Sequence, residues 1–187
     1  LHGDELKVAF AFLLTMPGAP FIYYGDEIGL RYVENLVSVE GGYSRTGSRS
    51  PMQWNHGVNF GFSNASPEKL YIPTDDKPNS PTVEDQMKDP NSLYYEVKKL
   101  IALRREHSAL LSDGDIEFVS DGADGSPLAY IRSSADEKIL VVVNPADREA
   151  VLEVPGTWNV CLYTVGGIVK AEHGKLIVAP KSANLLK

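Results

Sequence analysis

The stretch PGAPFIYYGDEIGL, residues 17–30, decides how the rest of the chain is interpreted. Proline and glycine end a helix, and the aromatic and β-branched run after them predicts a strand over residues 21–24. This run has no polar alternation, which is typical of a strand covered on both faces. Helix, short turn and apolar strand favour a parallel α/β fold, where ligand-binding groups gather at the carboxyl ends of strands. Asp26 and Glu27 follow directly and are therefore candidate site residues.

Two segments have the periodicity of helices. Residues 4–16, DELKVAFAFLLTM, are rich in helix formers and apolar around most of the circumference, so this helix should be buried on more than one side. Asp4 is its expected N-terminal cap. Residues 91–107, NSLYYEVKKLIALRREH, have one apolar stripe opposite lysine and arginine side chains, which predicts a surface helix capped by Asp89 or Asn91.

Residues 29–88 show no regular period. Six of the 12 prolines of the chain lie between Pro51 and Pro90. A loop of this length inside a domain is usually functional or disordered, and its aromatic content argues against disorder. The aromatic residues are Tyr32, Tyr43, Trp54, Phe60, Phe62 and Tyr71. We therefore expect this loop to be functional.

After Leu111 the sequence changes to short strands at the spacing of a β-sandwich, separated by turns that contain glycine or proline. The predicted strands cover residues 115–120, 127–132, 138–144, 150–154, 158–163, 168–171, 175–179 and 183–186. A domain boundary is expected near 109–114. It divides the chain into residues 1–110 and an all-β domain over residues 111–187.

The strand pattern also predicts which residues form the core of this second domain. The run ILVVV, residues 139–143, has no polar alternation and should be the central strand. Trp158, Val160 and Leu162 alternate with polar residues, so these three side chains should share one buried face.

Composition limits the classes of partner. The formal charge of −7 argues against nucleic acid or an anionic membrane, since both attract basic surfaces. No apolar run reaches the length of a membrane span. Cys161 is the single cysteine, which excludes an internal disulfide and favours a cytoplasmic location. Because the first residue is leucine rather than methionine, we expect the sequence to be a piece of a longer protein.

The most specific motif is SRSPMQWN, residues 48–55. Arg49, a rigid proline turn and Trp54 place a guanidinium and an indole within a few residues. Sugars are bound by polar groups on their hydroxyls and by flat aromatic faces against their C–H surfaces. The sequence therefore predicts that Arg49 and Trp54 bind substrate together with Asp26 and Glu27.

A structural role for the same residues stays open. A salt bridge from Arg49 to Asp26 or Glu27 would fix the loop, and Trp54 would anchor it as a buried side chain. Adjacent residues on an extended segment point to opposite sides, so the two acids should not both face one ligand if the strand continues.

The remaining motifs give weaker indications of function. His2 and Asp4 could form a catalytic pair, but helix capping already explains Asp4. No metal-ligand spacing, phosphate-binding glycine loop or nucleophile elbow is present in the sequence, so no metal and no cofactor is predicted.

Several segments, in order, resemble the C-terminal part of the α-amylase superfamily of glycoside hydrolases. These are MPGAPFIYYGDEIGL, RSPMQWN, GFSNASPEKLYIP and VEDQMKDPNSLYYEVKKLIALRREHSALLSDGD, followed by a closing β-domain. They are most similar to the branch with α-glucosidases, oligo-1,6-glucosidases and trehalose synthases. One departure is Asn55, where many members have aspartate.

The resemblance implies a fold class: the last βα elements of a (β/α)8 barrel followed by an antiparallel β-sandwich. Residues 4–16 would be the seventh barrel helix, 20–25 the eighth strand and 91–107 the last helix. A barrel takes about 200 residues or more, and only about 110 precede the sandwich. The resemblance thus implies that six or seven strands lie upstream.

The resemblance also implies a chemistry. Retaining glycosidases use two carboxylates about 5 Å apart across the scissile bond. In the family, these acids and a supporting third acid end strands that would precede residue 1. This implies a retaining hydrolase of α-glucosidic bonds in oligosaccharides whose catalytic acids lie outside the 187 residues. The chain alone would then be inactive, with Arg49, Asp26, Glu27 and Trp54 as substrate-binding residues.

Two other functions remain open. The chain could be a carbohydrate-binding β-module, which requires exposed aromatic side chains such as Trp158, or a structural module without catalysis. In each case the apolar faces of helix 4–16 and strand 20–24 lack the neighbours of a barrel. We therefore expect these faces to pack on the sandwich, to pair with another copy in a homo-oligomer, or to be partly disordered.

Overall fold

The computed structural model describes residues 3–75, 77–172 and 174–187. The helices are α1 (Asp4–Thr15), α2 (Val83–Lys88) and α3 (Leu93–Glu106). The strands are β1 (Asp115–Asp121), β2 (Leu128–Ser133), β3 (Lys138–Asn144), β4 (Ala150–Glu153), β5 (Cys161–Val165), β6 (Lys170–Glu172), β7 (Lys175–Val178) and β8 (Ser182–Leu186). The chain forms two compact units: the described residues up to Phe21 together with Val97–Lys187, and Ile22–Glu96.

The first unit contains a β-sandwich, as predicted. One sheet has the strand order β1-β2-β3-β8-β5 and the other has the order β4-β7-β6. All their strand pairs are antiparallel. The core between the sheets consists of Ala129, Ile131, Leu140, Val142, Leu152, Val169, Leu176, Val178 and Leu186. Strand β3 lies in the middle of the larger sheet, which confirms the prediction for residues 139–143.

Strand β3 is buried on both faces because helices cover the side of the sheet opposite the core. The hydroxyls of Thr15 in α1 and Tyr130 in β2 lie 2.6 Å apart. Burial, the largest cause, raises the pKa of Tyr130 to about 12. The Lys99 ammonium lies 4.9 Å from the centre of the Tyr163 ring.

Two arginines bind the carbonyl groups at the C-terminal end of α1, which have no partner within the helix. Arg132 is fully buried and donates to Thr15 O and, at 2.7 Å, to Leu111 O. Arg104 donates to the carbonyls of Leu14 (2.8 Å), Met16 (2.7 Å) and Gly18 (2.6 Å). These bonds hold the end of α1 to the rest of its unit.

Two predictions for the first unit are wrong in detail. Asp4 is the first residue of α1 rather than its cap, since Gly3 occupies the cap position without a side-chain bond. Strand β5 begins at Cys161, so Tyr163 is the buried residue while Val160 is 53% exposed. Trp158 precedes the strand and is partly buried against the core.

The strand predicted over residues 21–24 is not formed. An extended segment becomes a strand only when another strand satisfies its backbone groups, and this segment has no strand partner in the part of the chain that the structure describes. The exposed fractions are 89% for Phe21 and 50% for Tyr23. The prediction failed because the strand depends on neighbours, and the local sequence cannot supply them.

The second unit, residues 22–96, contains α2, the first residues of α3, short 3-10 helices and turns. Apart from an isolated bridge between Ser38 and Gly41, its described residues show no β-pairing. It is held by polar contacts such as Arg31 with Asp75, whose Nη2 and Oδ2 atoms are 2.7 Å apart. Asp75 is almost fully buried.

Helix α2 was not predicted. Its signal is Thr82 followed three residues later by Asp85, since the Thr82 hydroxyl accepts from the Asp85 N–H at 3.1 Å. The helix is short and lies in a proline-rich region, so periodicity could not reveal it. No helix among the described residues has both the length and the apolar character that a membrane crossing requires.

Candidate functional site

The candidate site is a groove of about 380 Å³ in the second unit. Its lining combines a carboxylate, a guanidinium and several aromatic rings. The lining residues are Tyr24, Glu27, Arg49, Pro51, Met52, Trp54, Phe62, Tyr71 and Ile72. Three of the four predicted site residues, Glu27, Arg49 and Trp54, therefore meet at one groove, although more than 20 residues separate the first two in sequence.

One side of the groove is formed by a tight turn. Gly25 has a φ of +90° and a Cβ there would collide with Leu30, so the turn requires glycine. A short 3-10 helix, Asp26–Ile28, follows. The Glu27 carboxylate accepts from the Gly25 N–H at 2.8 Å. The turn interrupts the extended geometry and places Glu27 at the groove.

Asp26 does not line this groove. Its carboxylate accepts from the Tyr23 N–H at 3.0 Å and thereby closes the same turn. The two adjacent acids thus have different surroundings, as expected for neighbouring residues that point in different directions.

The other side of the groove is the segment with Arg49 and Trp54. The Tyr24 hydroxyl donates to Ser50 O at 3.1 Å. This bond connects the segment to the turn that contains Asp26 and Glu27, the acidic turn. Burial raises the pKa of Tyr24, and neighbouring Tyr23 adds to the effect, while the nearby Arg49 charge opposes it. Arg49 is exposed at the groove.

The structural alternatives for these residues are not seen among the described residues. There, Arg49 forms no ion pair with Asp26 or Glu27. Trp54 is 49% exposed, so it does not act as a buried anchor. Gln53 is fully buried instead. The guanidinium and the indole are therefore both accessible from the groove.

The sequence did not identify six of the lining residues as site residues: Tyr24, Pro51, Met52, Phe62, Tyr71 and Ile72. For Phe62 and Tyr71, the signal was the concentration of aromatic residues in a loop without periodicity. Tyr71 is half exposed, and a hydrogen bond to the Glu40 carboxylate is the largest cause that raises its pKa. Asn55 shapes its own turn, where its side-chain oxygen accepts from Gly57 N–H at 2.8 Å.

Other predicted features lie elsewhere. Trp158 donates its indole N–H to Pro155 O at 2.8 Å and is partly buried against the sandwich core. His2 lies outside the described residues. No group of three or more potential metal ligands occurs in the part of the chain that the structure describes.

Comparison with protein families finds two consecutive matches. Residues 2–114 match the family described as alpha amylase, catalytic domain. Residues 116–165 match the family described as maltogenic amylase, C-terminal domain. The first match alone covers more than half of the chain.

Curated relatives agree with these matches. The chain is 36% identical over 151 residues to trehalose synthase/amylase TreS of Mycobacterium tuberculosis, covering 78% of the chain and 24% of that protein. It is 35% identical over 183 residues to glucan 1,6-alpha-glucosidase of Streptococcus pneumoniae (83% and 33%). It is 30% identical over 179 residues to oligo-1,6-glucosidase of Halalkalibacterium halodurans (81% and 31%). The chain thus spans a third or less of the length of these relatives.

Solved structures show the same fold. The trehalulose synthase MutB of Pseudomonas mesoacidophila MX-45 has a TM-score of 0.81 at 23% identity, over 98% of this chain and 38% of that one. The isomaltulose synthase of Klebsiella sp. LX3 gives the same values. At this identity the likeness concerns the fold alone.

Proposed function

Because the chain belongs to the α-amylase family, we propose that it is the C-terminal part of a retaining glycoside hydrolase that acts on α-glucosidic bonds of oligosaccharides. The order of the two family matches supports this proposal. So do the names of the relatives, which include a glucan 1,6-alpha-glucosidase and an oligo-1,6-glucosidase. In this proposal, residues 1–110 end the catalytic barrel and residues 111–187 form the C-terminal all-β domain.

The observation that carries the proposal is the meeting of Glu27, Arg49 and Trp54 at one groove. A carboxylate and a guanidinium can bind the hydroxyls of a glucosyl unit, and an exposed indole can pack on its C–H face. We assign substrate binding to these three residues. Asp26, which closes the turn behind Glu27, is assigned to the same site through its effect on that turn.

We also propose that the 187-residue chain does not catalyse hydrolysis. A retaining mechanism uses two carboxylates about 5 Å apart on either side of the scissile bond. Among the described residues that line the groove, Glu27 is the only carboxylate. The groove can therefore bind a sugar without holding it between two acids.

The catalytic part of the proposal is tested with the 187-residue chain and isomaltose, maltose and a chromogenic α-glucoside. We expect no glucose or chromophore release above a heat-treated control. Release that scales with protein concentration would refute the assignment of the catalytic acids to another part of the protein. In a longer protein that contains this chain, proton NMR should show the α-anomer as the first product, whereas the β-anomer would exclude retention.

The binding part is tested by calorimetry with isomaltotriose and maltotriose. We expect millimolar binding, weakened about tenfold by Arg49→Ala, because a charged hydrogen bond is worth about 1.5 kcal/mol. Arg45→Ala is the matched control, since Arg45 lies in the same segment but stacks on Tyr43. Equal effects of the two substitutions, or no binding by the unmodified chain, would contradict the groove assignment.

We further propose a cytoplasmic location and a homo-oligomer formed through exposed apolar side chains such as Phe12 and Phe21. The free, exposed Cys161 supports the first proposal. The exposed fractions of Phe12, 38%, and Phe21, 89%, support the second. Light scattering of the purified chain should give a multiple of 20.5 kDa, and a monomer at all concentrations would refute the oligomer.

A further inference from the structure

Helix α2 contacts the segment that carries Trp54. Its first two backbone N–H groups, those of Val83 and Glu84, donate to the carbonyls of Gln53 and Trp54, each at 2.9 Å. N–H groups at a helix start have no partner within the helix. Here they bind one loop, so the position of α2 fixes the backbone from which the Trp54 indole projects.

The same helix contacts the acidic turn through one side chain. The Gln86 amide nitrogen donates to Ile28 O at 3.2 Å, and Ile28 directly follows Glu27. The Gln86 amide oxygen accepts from the Tyr94 N–H at 3.0 Å, in the first turn of α3. This bond replaces the cap that the sequence predicted from Asp89 or Asn91. Gln86 therefore joins the turn with Glu27 to the helix that holds Trp54.

The two contacts require an amide. One end of the side chain must donate to a carbonyl and the other must accept from an N–H, and ionised glutamate can only accept. Gln86 is half-buried, and it is not among the residues that line the groove. It can therefore act on a ligand only through the residues it holds.

We propose that Gln86 is a positioning residue of the groove: it fixes the distance between Glu27 and Trp54 by connecting the acidic turn to α2. The proposal rests on the sugar-binding role proposed above and names the residue that preorganises the site. A site held in its binding geometry does not lose free energy to ordering when the ligand arrives. Loss of the Gln86 bonds should therefore weaken binding even though no ligand contact is removed.

The test compares three variants of the 187-residue chain. Gln86→Met keeps the length of the side chain and removes both bonds. Gln86→Glu keeps the acceptor for Tyr94 N–H and places a carboxylate against Ile28 O. Glu84→Gln is the control, because it breaks only the exposed pair with Lys88 on the same helix (2.8 Å). By calorimetry with isomaltotriose, the first two should bind about fivefold more weakly and the control should be unchanged.

The pH dependence of sugar binding by Gln86→Glu distinguishes loss of the hydrogen bond to Ile28 O from a general destabilisation of the fold. A protonated glutamate can donate again, so its affinity relative to the unmodified chain should recover as the pH falls from 7 to 4. The ratio removes the titration of groups common to both proteins. A ratio that is constant over this range, in a variant with native circular dichroism, would overturn the proposal.

A second readout needs no ligand. In a Trp158→Phe background, Trp54 is the single tryptophan, and its indole N–H gives one signal in an NMR spectrum. This signal should shift in both Gln86 variants and stay in place in Glu84→Gln. If the unmodified chain binds no sugar, the proposed function fails, and the indole signal still decides whether Gln86 positions Trp54. An unmoved signal in both variants overturns the inference.

Discussion

The two units of the chain are stabilised by different kinds of interaction. The sandwich buries aliphatic side chains between two sheets whose backbone groups pair with each other. In residues 22–96, the described buried side chains are more often polar than apolar. The apolar ones are Ile28, Val33, Pro51, Met52 and Leu93, and the polar ones are Thr46, Ser50, Gln53, Asn59, Asp75, Ser80, Thr82 and Ser92.

The two kinds of interaction differ in how precisely they fix the direction of a side chain. Apolar burial contributes in proportion to the area removed from water and has no preferred direction. Hydrogen bonds depend on direction and fix where each turn points, so they suit a segment that must present particular side chains. The candidate groove lies in residues 22–96, the unit whose buried side chains are mostly polar.

The largest expected effect tests the sandwich. Leu140 is fully buried in the core between the sheets. Leu140→Ala should lower the free energy of unfolding by about 3 kcal/mol, because it removes buried methyl groups and leaves a cavity. Val151→Ala, on a 58% exposed residue of β4, is the control and should change it by less than about 0.5 kcal/mol. Similar values for both in urea unfolding would contradict a core that depends on packing.

The next largest effect tests residues 22–96, the polar unit. Burial alone would raise the pKa of Asp75, but the Lys77 N–H and the Arg31 guanidinium outweigh it and lower the pKa. Arg31→Met leaves this carboxylate buried without its charged partner, so we expect a local loss of about 2 kcal/mol. Hydrogen exchange of the Lys77 N–H, which donates to Asp75 at 3.1 Å, measures it.

Two further variants decide whether the buried charge is the cause. The double variant Arg31→Met/Asp75→Leu should recover part of the loss, because it removes the unpaired carboxylate. Arg45→Met, on an exposed arginine of the same unit, should leave the exchange of the Lys77 N–H unchanged. A double variant less protected than Arg31→Met would show that the carboxylate is not the source of the loss.

A smaller effect, in the unit that contains the β-sandwich, depends on pH. Burial alone would raise the pKa of Glu137, but hydrogen bonds from Lys187 and His107 outweigh it and lower the pKa from 4.5 to about 2. The contribution of Glu137 is therefore complete above pH 4.5 and is lost as the pH falls toward 2. We expect it to be about 1–2 kcal/mol, allowing for the half-exposed Lys187.

The pH effect is measured by urea unfolding between pH 6 and pH 2.5. Glu137→Gln should be less stable than the unmodified chain at pH 6, and the two should converge at the acid end. A difference that stays constant over this range would show that the carboxylate charge does not contribute.

The smallest effect is expected at an exposed pair of the polar unit. His56 Nε2 and Asp85 Oδ2 are 2.6 Å apart, and both side chains are at least half exposed. Solvent screens such pairs, so a double-mutant cycle of His56→Gln and Asp85→Asn should give a coupling of about 0.5 kcal/mol or less. A coupling above about 1 kcal/mol would mean that exposed polar contacts also stabilise this unit.

The sequence predicted the sandwich well because its signals are local. Alternating residues between turns with glycine or proline predicted eight strands, and the run at 139–143 predicted the central one. The error at Trp158 and Val160 came from starting strand β5 too early, which assigned its alternating residues to the wrong faces.

The polar unit could be predicted only in part. Arg49 and Trp54 were predicted together because they lie five residues apart in one motif, and the structure places both at the groove. The contacts of Gln86 with Ile28 and Tyr94 connect distant segments, and no period or turn signal marks such a residue. The strand at 21–24 failed for the related reason that its formation depends on residues far away in sequence.

The arginines at the end of α1 imply an order of events in acid. A guanidinium keeps its proton at every pH at which proteins remain folded, so the bonds from Arg104 and Arg132 to carbonyl groups do not titrate. The contacts of Glu137 weaken in acid because they require an ionised carboxylate. Acidification should therefore weaken the contacts of Glu137 while the arginine bonds at the C-terminal end of α1 persist.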